Sequence, residues 1–204
     1  MMLRIFLTVS VLFGHQIAAR ETEQEVIDLC KDTDCLKPEQ VIQYKDYDEI
    51  EFPHIQWAET TVNFSDLETD LEPVMEISLD KLFNYAFFCN ADETIVPLTA
   101  PWGLTGYLVN QTFPETFYVG VGIVPEVRSM PEPIDQTIEL KELTPGHYFV
   151  KTYHEKFEWE EYKELALDFL KELEEEKGTF EWTVAIIWYK KSGLKQIWLK
   201  QGTE

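Results

Sequence analysis

The stretch IVPLTAPW, Ile95–Trp102, combines the alternating apolar residues of a β-strand with two prolines, which are unusual inside a sheet. Proline has no backbone N–H to donate to a neighbouring strand. Because Pro97 and Pro101 are four residues apart, both missing donors fall on the same lateral edge. The stretch therefore predicts a strand that is blunted or bulged along one edge. Its inward-facing residues are predicted to be Val96, Leu98, Ala100 and Trp102.

The elements around this stretch complete a first half of the fold. A long strand rich in aromatic and β-branched residues begins near Tyr47 and is kinked by Pro53. A helix follows over residues 69–88, with helical spacing and capping residues at its start. The proline-containing strand and the run at 116–124 then supply two more strands. This half reads strand, helix, strand, strand.

A second half repeats that order. Strands are predicted around a turn at Pro145–Gly146, followed by a helix that ends at Gly178 and a hairpin turned at Ser192–Gly193. The proline-rich linker 125–135 is stiff and joins the two halves. The pattern of elements therefore indicates an α+β protein with two β-α-β-β halves.

Both predicted helices carry an apolar stripe that would pack on a sheet. In the second helix the other faces are mainly Glu and Lys, as expected for a surface exposed to water. The stripe of the second helix is Trp159, Tyr162, Ala166, Phe169 and Leu173. The stripe of the first helix is Met75, Leu79, Leu82 and Ala86.

The first helix has a second apolar stripe about a third of a turn away from the first. The stripe has one lysine near its middle, which could meet a carboxylate while the apolar groups cover the rest of a flat ligand. It therefore predicts a binding surface for a small, hydrophobic, anionic molecule. Alternatively, a loop or strand of the same domain covers it. Its residues are Val74, Ile77, Lys81, Tyr85 and Phe88.

The N-terminal sequence predicts a secreted protein. Residues 1–19 have the basic start, short apolar run and small-residue exit of a signal peptide. Two N-x-S/T sequons, at Asn63 and Asn110, fit glycosylation on that route. In an oxidising compartment Cys30 and Cys35 are expected to form a disulfide within an irregular segment, 20–45, that precedes the domain 46–204. Cys89 is then unpaired, and its phenylalanine neighbours favour a buried position.

The net charge of −21 makes nucleic acid and anionic lipid surfaces unfavourable partners. No EF-hand spacing or paired zinc-ligand spacing is present in the sequence. After the leader, no stretch is apolar for long enough to cross a membrane. These features indicate a soluble extracellular binding protein whose partners are small molecules or other proteins.

Catalytic motifs are missing from the sequence, which has no nucleophile elbow, no H-E-x-x-H and no phosphate loop. His147 and His154 are expected at the surface. His54 follows Pro53 in the kinked strand and could face a ligand. We therefore expect a protein that is not an enzyme and has no bound metal of its own.

Taken in order along the chain, several short motifs resemble the SOUL/haem-binding protein family. They are the strand containing Trp57 and Thr60, KLFNY at 81–85, LTAPW at 98–102, FYV at 117–119, PEPID at 131–135 and IWL at 197–199. The resemblance extends from about Tyr47 to Gln201.

The resemblance implies a distorted antiparallel β-barrel made of the two halves, with both helices outside it. It also implies that haem or a related tetrapyrrole binds in an apolar cleft beside the first helix, with Lys81 facing the porphyrin. Because the protein is strongly acidic, we expect weak to moderate binding without a strong axial ligand. The alternative is an extracellular protein-interaction module that has kept this scaffold and lost the tetrapyrrole.

Overall fold

Nine strands and two helices make up the part of the chain that the structure, a computed structural model, describes. The described residues are 36, 39–63, 71–107, 112–113, 116–127, 129–154, 159–178, 182–188 and 195–201. All of them lie in the compact unit Asp34–Glu204. The strands are β1 Gln40–Gln43, β2 Asp48–Phe52, β3 Ile55–Asn63, β4 Leu98–Tyr107, β5 Thr116–Ile123, β6 Ile138–Leu143, β7 Gly146–Tyr153, β8 Trp182–Trp188 and β9 Lys195–Gln201; the helices are α1 Leu71–Ala86 and α2 Trp159–Lys177.

The nine strands form one sheet in the order β1-β2-β7-β9-β8-β4-β5-β3-β6. Every neighbouring pair in this order is antiparallel. The predicted α+β class with two helices is thus confirmed. The predicted distorted barrel is not confirmed, because the order of the described strands is linear, from β1 to β6.

Each half of the chain contributes three neighbouring strands with the same arrangement. In the first half β5 lies between β3 and β4, and in the second half β9 lies between β7 and β8. These two groups of three strands meet where β4 pairs with β8. The strand that precedes each helix therefore pairs with the last strand of its own half, which accounts for the repeated pattern in the sequence.

Two long segments of the sheet are broken at prolines. The kink predicted at Pro53 separates β2 from β3, and Pro145 lies between β6 and β7. The sequence predicts a turn at Pro145–Gly146, but β6 pairs with β3 while β7 pairs with β2. Phe52 is opposite Gly146, and Ile55 is opposite Leu143, so the two ladders keep the same register across both breaks.

The sheet also begins earlier in the chain than the pattern indicates. β1 lies inside the segment 20–45, which is predicted to be irregular, and pairs with β2. Its apolar residues Val41 and Ile42 are both exposed, Val41 at 48% and Ile42 at 40% of its surface. Since neither face of the strand is buried, the sequence lacks the alternation of apolar and polar residues that indicates a strand.

The proline-containing stretch forms a bulged strand, as predicted. The register of β4 against β5 shifts between Thr99 and Trp102, so that Ala100 and Pro101 are left out of the ladder. Beside the bulge, the backbone N–H of Leu36 donates to the carbonyl of Ala100 at 2.9 Å. From Trp102 onward β4 pairs on both sides, so the blunted edge is limited to the start of the strand.

The predicted core stripes of both helices are confirmed. Met75, Leu79, Leu82 and Ala86 of α1 are buried, as are all five predicted residues of α2. These residues join one core cluster with the apolar face of β3, β5 and β9. The second helix ends as predicted, since Gly178 has φ 97° and its N–H donates to the carbonyl of Glu174 at 3.0 Å.

Candidate functional site

The predicted binding stripe of α1 is partly covered by the linker that joins the two halves. The hydroxyl of Tyr85 donates to the backbone carbonyl of Pro131 at 3.0 Å, and the backbone N–H of Ala91 donates to the carbonyl of Glu132 at 2.8 Å. Asn90 and Pro133 also form an isolated antiparallel bridge. The linker therefore runs along the C-terminal end of α1 and the turn that follows it.

A buried amide holds this turn in place. The side chain of Asn90 donates to the carbonyls of Tyr85 and Thr94, and its oxygen accepts from the N–H of Thr94. Asn90 is fully buried, so these three bonds satisfy a side chain that would otherwise be costly to bury. Phe88, two residues after the end of α1, has φ 73° and lies within the turn that these bonds hold.

Tyr85 is part of the core. Its side chain is 1% exposed, and burial raises its pKa to about 12. Because the hydroxyl already binds the Pro131 carbonyl, the described arrangement gives the ring no ligand-facing surface. Val74 is likewise partly buried against the core cluster. Both residues were predicted as ligand contacts, and the covering of Tyr85 by the linker matches the alternative that the sequence left open.

Large apolar side chains in α1, in the turn that follows it and in the linker remain open to solvent. Ile77 is 62% exposed, Phe88 is 55% exposed and Ile134, in the linker, is 63% exposed. Ile77 lies one helical turn before Lys81, on the same side of the helix. We call Ile77, Lys81, Phe88 and Ile134 the Lys81 surface.

The ammonium group of Lys81 lies near two polar residues, Asp135 at the end of the linker and Thr137 just before β6. Its Nζ lies 3.5 Å from Oγ1 of Thr137, and that hydroxyl donates to Oδ1 of Asp135 at 2.8 Å. The backbone N–H of Thr137 also donates to the same carboxylate oxygen, at 2.9 Å. The two bonds from Thr137, with a smaller contribution from the Lys81 charge, lower the pKa of Asp135.

His54, the other predicted ligand contact, lies in the break between β2 and β3. Its Nε2 is 3.4 Å from Oε2 of Glu142, and both side chains are about half exposed or more. The described contacts of His54 include no residue of the Lys81 surface. The structure thus keeps Ile77 and Lys81 on one side of α1, places Phe88 two residues beyond the end of that helix, and does not join His54 to them.

The structure describes only some of the remaining predicted positions. Cys89 is a free cysteine and is exposed, so the prediction that it is buried is wrong. Asn63 is the last residue of β3, while Asn110, Cys30, Cys35 and the leader 1–19 fall outside the described residues.

A buried charge pair lies on the other face of the sheet. Glu59 in β3 is 3% exposed, and its carboxylate contacts the ammonium group of Lys141 in β6. Burial raises the pKa of Glu59, although the contact with Lys141 opposes that shift. The Lys141 nitrogen also lies 4.6 Å from the ring centroid of Tyr118. The pair is largely shielded from water and has a structural role in joining β3 to β6.

The described part of the chain contains no group of three or more His, Cys, Asp or Glu side chains arranged to hold a metal ion. Its two helices are not apolar enough over a sufficient length to span a membrane.

Sequence reasoning missed the part that Ile134 and Asp135 of the linker play in this surface, and that of Thr137 just after the linker. The linker was identified by its prolines as a stiff connection, and nothing in that composition indicates which helix it contacts. The sequence also gave no indication of the hydrogen bonds of Tyr85 and Asn90. Their partners are backbone groups, which every position of the chain has. The missed residues therefore depend on tertiary contacts.

Comparison with solved structures gives only distant similarities. A hydrolase from Listeria innocua matches at a TM-score of 0.46 and 10% identity, covering 77% of this chain and 92% of that one. The EcmrR C-terminal domain matches at a TM-score of 0.45 and 12% identity, over 78% and 98%. An integron cassette protein from Vibrio cholerae matches at 0.41 and 12%, over 77% and 96%. These likenesses carry no conclusion about function.

A comparison with curated proteins gives no match. The family model described as SOUL heme-binding protein matches residues 34–198, which include every described strand and both helices except for the last residues of β9. This match agrees with the motifs found in the sequence, since all of them lie within it except Leu199, the last residue of IWL. The chain therefore belongs to the SOUL heme-binding protein family.

Proposed function

We propose that this protein is a secreted, non-enzymatic binding protein for haem or a related tetrapyrrole, which it holds against the Lys81 surface. The observation that carries the proposal is the ammonium group of Lys81, which lies one helical turn from the solvent-exposed Ile77 and contacts Thr137, three residues after the exposed Ile134. Membership of a family described as heme-binding supports the choice of ligand.

The chemistry of the Lys81 surface suits a porphyrin. The macrocycle is flat and apolar, so it would cover Ile77, Ile134 and Phe88, while a propionate would pair with Lys81. Large exposed apolar groups of this kind are costly to leave in water and are typical of binding surfaces. The linker would form one wall of the site, and a site open on its other sides fits weak to moderate affinity.

Iron ligation is not part of the proposal. His54 pairs with Glu142, and the Tyr85 hydroxyl is bonded to Pro131. Cys89 follows Phe88 and is exposed, so its contribution has to be tested directly. We expect haemin and metal-free protoporphyrin IX to bind with similar affinity, and Cys89→Ser to leave both unchanged. Much tighter haemin binding that Cys89→Ser abolishes would contradict this expectation.

The binding test is a titration of the mature protein with haemin, followed by the Soret band. Ile77→Asp should weaken binding about tenfold, since burying this side chain contributes about 1.5 kcal/mol. Val41→Asp is the matched control, because Val41 is also about half exposed but lies in β1. It should have no effect.

The same titration tests the lysine. Lys81→Met should weaken haemin binding about two- to fivefold, as expected for a solvent-exposed charge pair. Lys45→Met, at a lysine whose side chain is 81% exposed, controls for the change in net charge. A Soret band that does not change at micromolar haemin, or that responds equally in all four variants, would overturn the proposed site.

The secreted state is tested separately. We propose that residues 1–19 are removed on export and that Asn63 and Asn110 carry glycans. Expression in a eukaryotic secretory system, followed by N-terminal sequencing, should show a start near Arg20. Enzymatic deglycosylation should lower the mass, and Asn63→Gln together with Asn110→Gln should remove that change. Retention of the leader in a cell-associated protein would contradict secretion.

A further inference from the structure

The carboxylate of Asp135 faces the same lysine that a ligand would use. Thr137 connects the two groups, because its hydroxyl lies 3.5 Å from Lys81 Nζ and donates to Asp135 at 2.8 Å. A second bond from the Thr137 backbone holds the carboxylate in this position. Moving Asp135 away from Lys81 would require both bonds to break, so the carboxylate is part of the fixed geometry of the surface.

The charge around Lys81 is unfavourable to a second carboxylate. Lys81 is the single basic residue in the sequence of α1, which also contains Glu72, Glu76 and Asp80. Because Asp135 and Thr137 are exposed, water and salt weaken the interaction of the Asp135 carboxylate with Lys81. They do not remove it, since contacts of 3.5 Å and 2.8 Å through Thr137 keep the two charges within the Debye length of about 8 Å. An incoming propionate would approach an ammonium group whose charge is already partly compensated.

From this geometry we propose that Asp135 is a specificity-determining residue of the Lys81 surface. Its carboxylate competes with ligand carboxylates for Lys81 and lowers the affinity for dianionic porphyrins. Tetrapyrroles whose propionates are esterified have no carboxylate to compete with Asp135. The site therefore prefers uncharged to dianionic ligands, and this preference is stronger than the apolar residues alone would produce. The inference rests on the proposed tetrapyrrole function of the same surface.

The test compares protoporphyrin IX, which has two carboxylates, with its dimethyl ester. Asp135→Asn should raise the affinity for protoporphyrin IX about two- to fivefold, which is the range for an exposed charge pair, and leave the affinity for the ester unchanged. The gain should shrink as NaCl rises from about 0.02 M to about 0.5 M, because the Debye length falls. Quenching of tryptophan fluorescence, at each NaCl concentration, measures the affinities of the wild type and of Asp135→Asn for both porphyrins.

Two variants separate this effect from a general change in charge. Glu126→Gln removes one negative charge from an exposed residue of the same linker that has no described contact with Lys81, and it should not change either affinity. In the double variant Asp135→Asn with Lys81→Met, the gain should disappear, because the competing groups share one partner.

The outcomes distinguish the inference from the function on which it rests. If the wild type binds protoporphyrin IX in a manner that depends on Lys81, but Asp135→Asn binds it no more tightly, the competition is refuted and the function stands. An equal gain in Glu126→Gln, or an equal gain for the ester, would also refute the competition. If neither the wild type nor Asp135→Asn binds either porphyrin, both the inference and the proposed function fail.

Discussion

Tyr85 of α1 and Pro131 of the linker are joined by a buried hydrogen bond, with the phenolic oxygen 3.0 Å from the backbone carbonyl oxygen. Removing the hydroxyl in Tyr85→Phe leaves that carbonyl without its described donor while keeping the ring. We expect the free energy of unfolding to fall by about 1–2 kcal/mol, measured by urea denaturation. Tyr44→Phe removes an exposed bond to Glu49 and should cost less than about 0.5 kcal/mol.

The same variant distinguishes two roles for Tyr85. Since the ring is buried beneath the linker, Tyr85→Phe should leave haemin affinity unchanged under conditions where the protein is fully folded. A large loss of affinity in folded Tyr85→Phe would show that the hydroxyl reaches the ligand, as the sequence pattern first indicated.

Buried tyrosines make the fold sensitive to high pH. Burial raises the pKa values of Tyr85 and Tyr153 to about 12, against 10.0 for an ordinary tyrosine. Because the neutral form is favoured in the fold, this contribution to stability is complete below pH 10 and is lost as the pH rises from 10 towards 12. Titration by tyrosinate absorbance should show a late group of tyrosines, and Tyr85→Phe should remove one of them. Ionisation of all tyrosines together near pH 10 in the folded protein would contradict this.

The buried pair of Glu59 and Lys141 predicts an asymmetric response to mutation. Lys141→Met leaves an uncompensated buried carboxylate and should lower the free energy of unfolding by about 3 kcal/mol at pH 7. The pKa of Glu59 is already raised by burial and would rise further without Lys141. A raised carboxyl pKa gives stability that is present at low pH and is lost as the pH rises through it, so the damage should be smaller at pH 5.

The double variant Glu59→Gln with Lys141→Met tests this explanation. Removing both charges should recover most of the stability, because the buried charge is then absent. Chemical denaturation of the two variants at both pH values provides the comparison. An equal loss in the single and double variants, independent of pH, would mean that packing of the Lys141 side chain matters more than its charge.

The indole ring of Trp57 packs against Gly120 in β5 and occupies the space that a side chain at Gly120 would need. A Cβ atom at Gly120 would lie 2.1 Å from Nε1 of Trp57, and further ring atoms are also within 3 Å. Because the ring is rigid and buried, Gly120→Ala should destabilise the fold by about 2–3 kcal/mol and change the emission of Trp57.

Gly146→Ala is the matched control for that substitution. At Gly146 the nearest atom to an added Cβ is Cε of Lys200, at 2.9 Å, and this flexible side chain can move away. The cost should remain below about 1 kcal/mol. Thermal unfolding of both variants measures the difference, and similar losses would contradict the role of Trp57 as a rigid obstacle.

The sequence was most informative where a periodic pattern and a buried face coincide. The core stripes of α1 and α2 follow from helical spacing, and the break at Pro53 and the bulge at Pro101 follow from the missing N–H groups of proline. β1 escaped notice because all its side chains are exposed. The turn expected at Pro145–Gly146 was wrong because proline and glycine also occur at breaks in strands, and only the pairing partners distinguish the two cases.

The candidate site was predictable only on the side supplied by α1. Helical spacing placed Ile77 and Lys81 on one side of α1, but it could not indicate that the helix ends before Phe88 or that the linker covers Tyr85. The linker contributes Asp135 through a hydrogen bond between residues 56 positions apart, Lys81 and Thr137. Such contacts depend on how the two halves come together, and no local pattern in a single sequence records them.

The shared register on the two sides of the broken segments links the lengths of two connections that are far apart in the chain. Pro53 and His54 separate β2 from β3, while Thr144 and Pro145 separate β6 from β7. One residue inserted at the first break alone would move β2 out of step with β7 or β3 out of step with β6, and would turn the side chains of the displaced strand to the opposite face. Evolution can therefore change the length of either break only by compensating at the other, so relatives should gain or lose residues there in pairs.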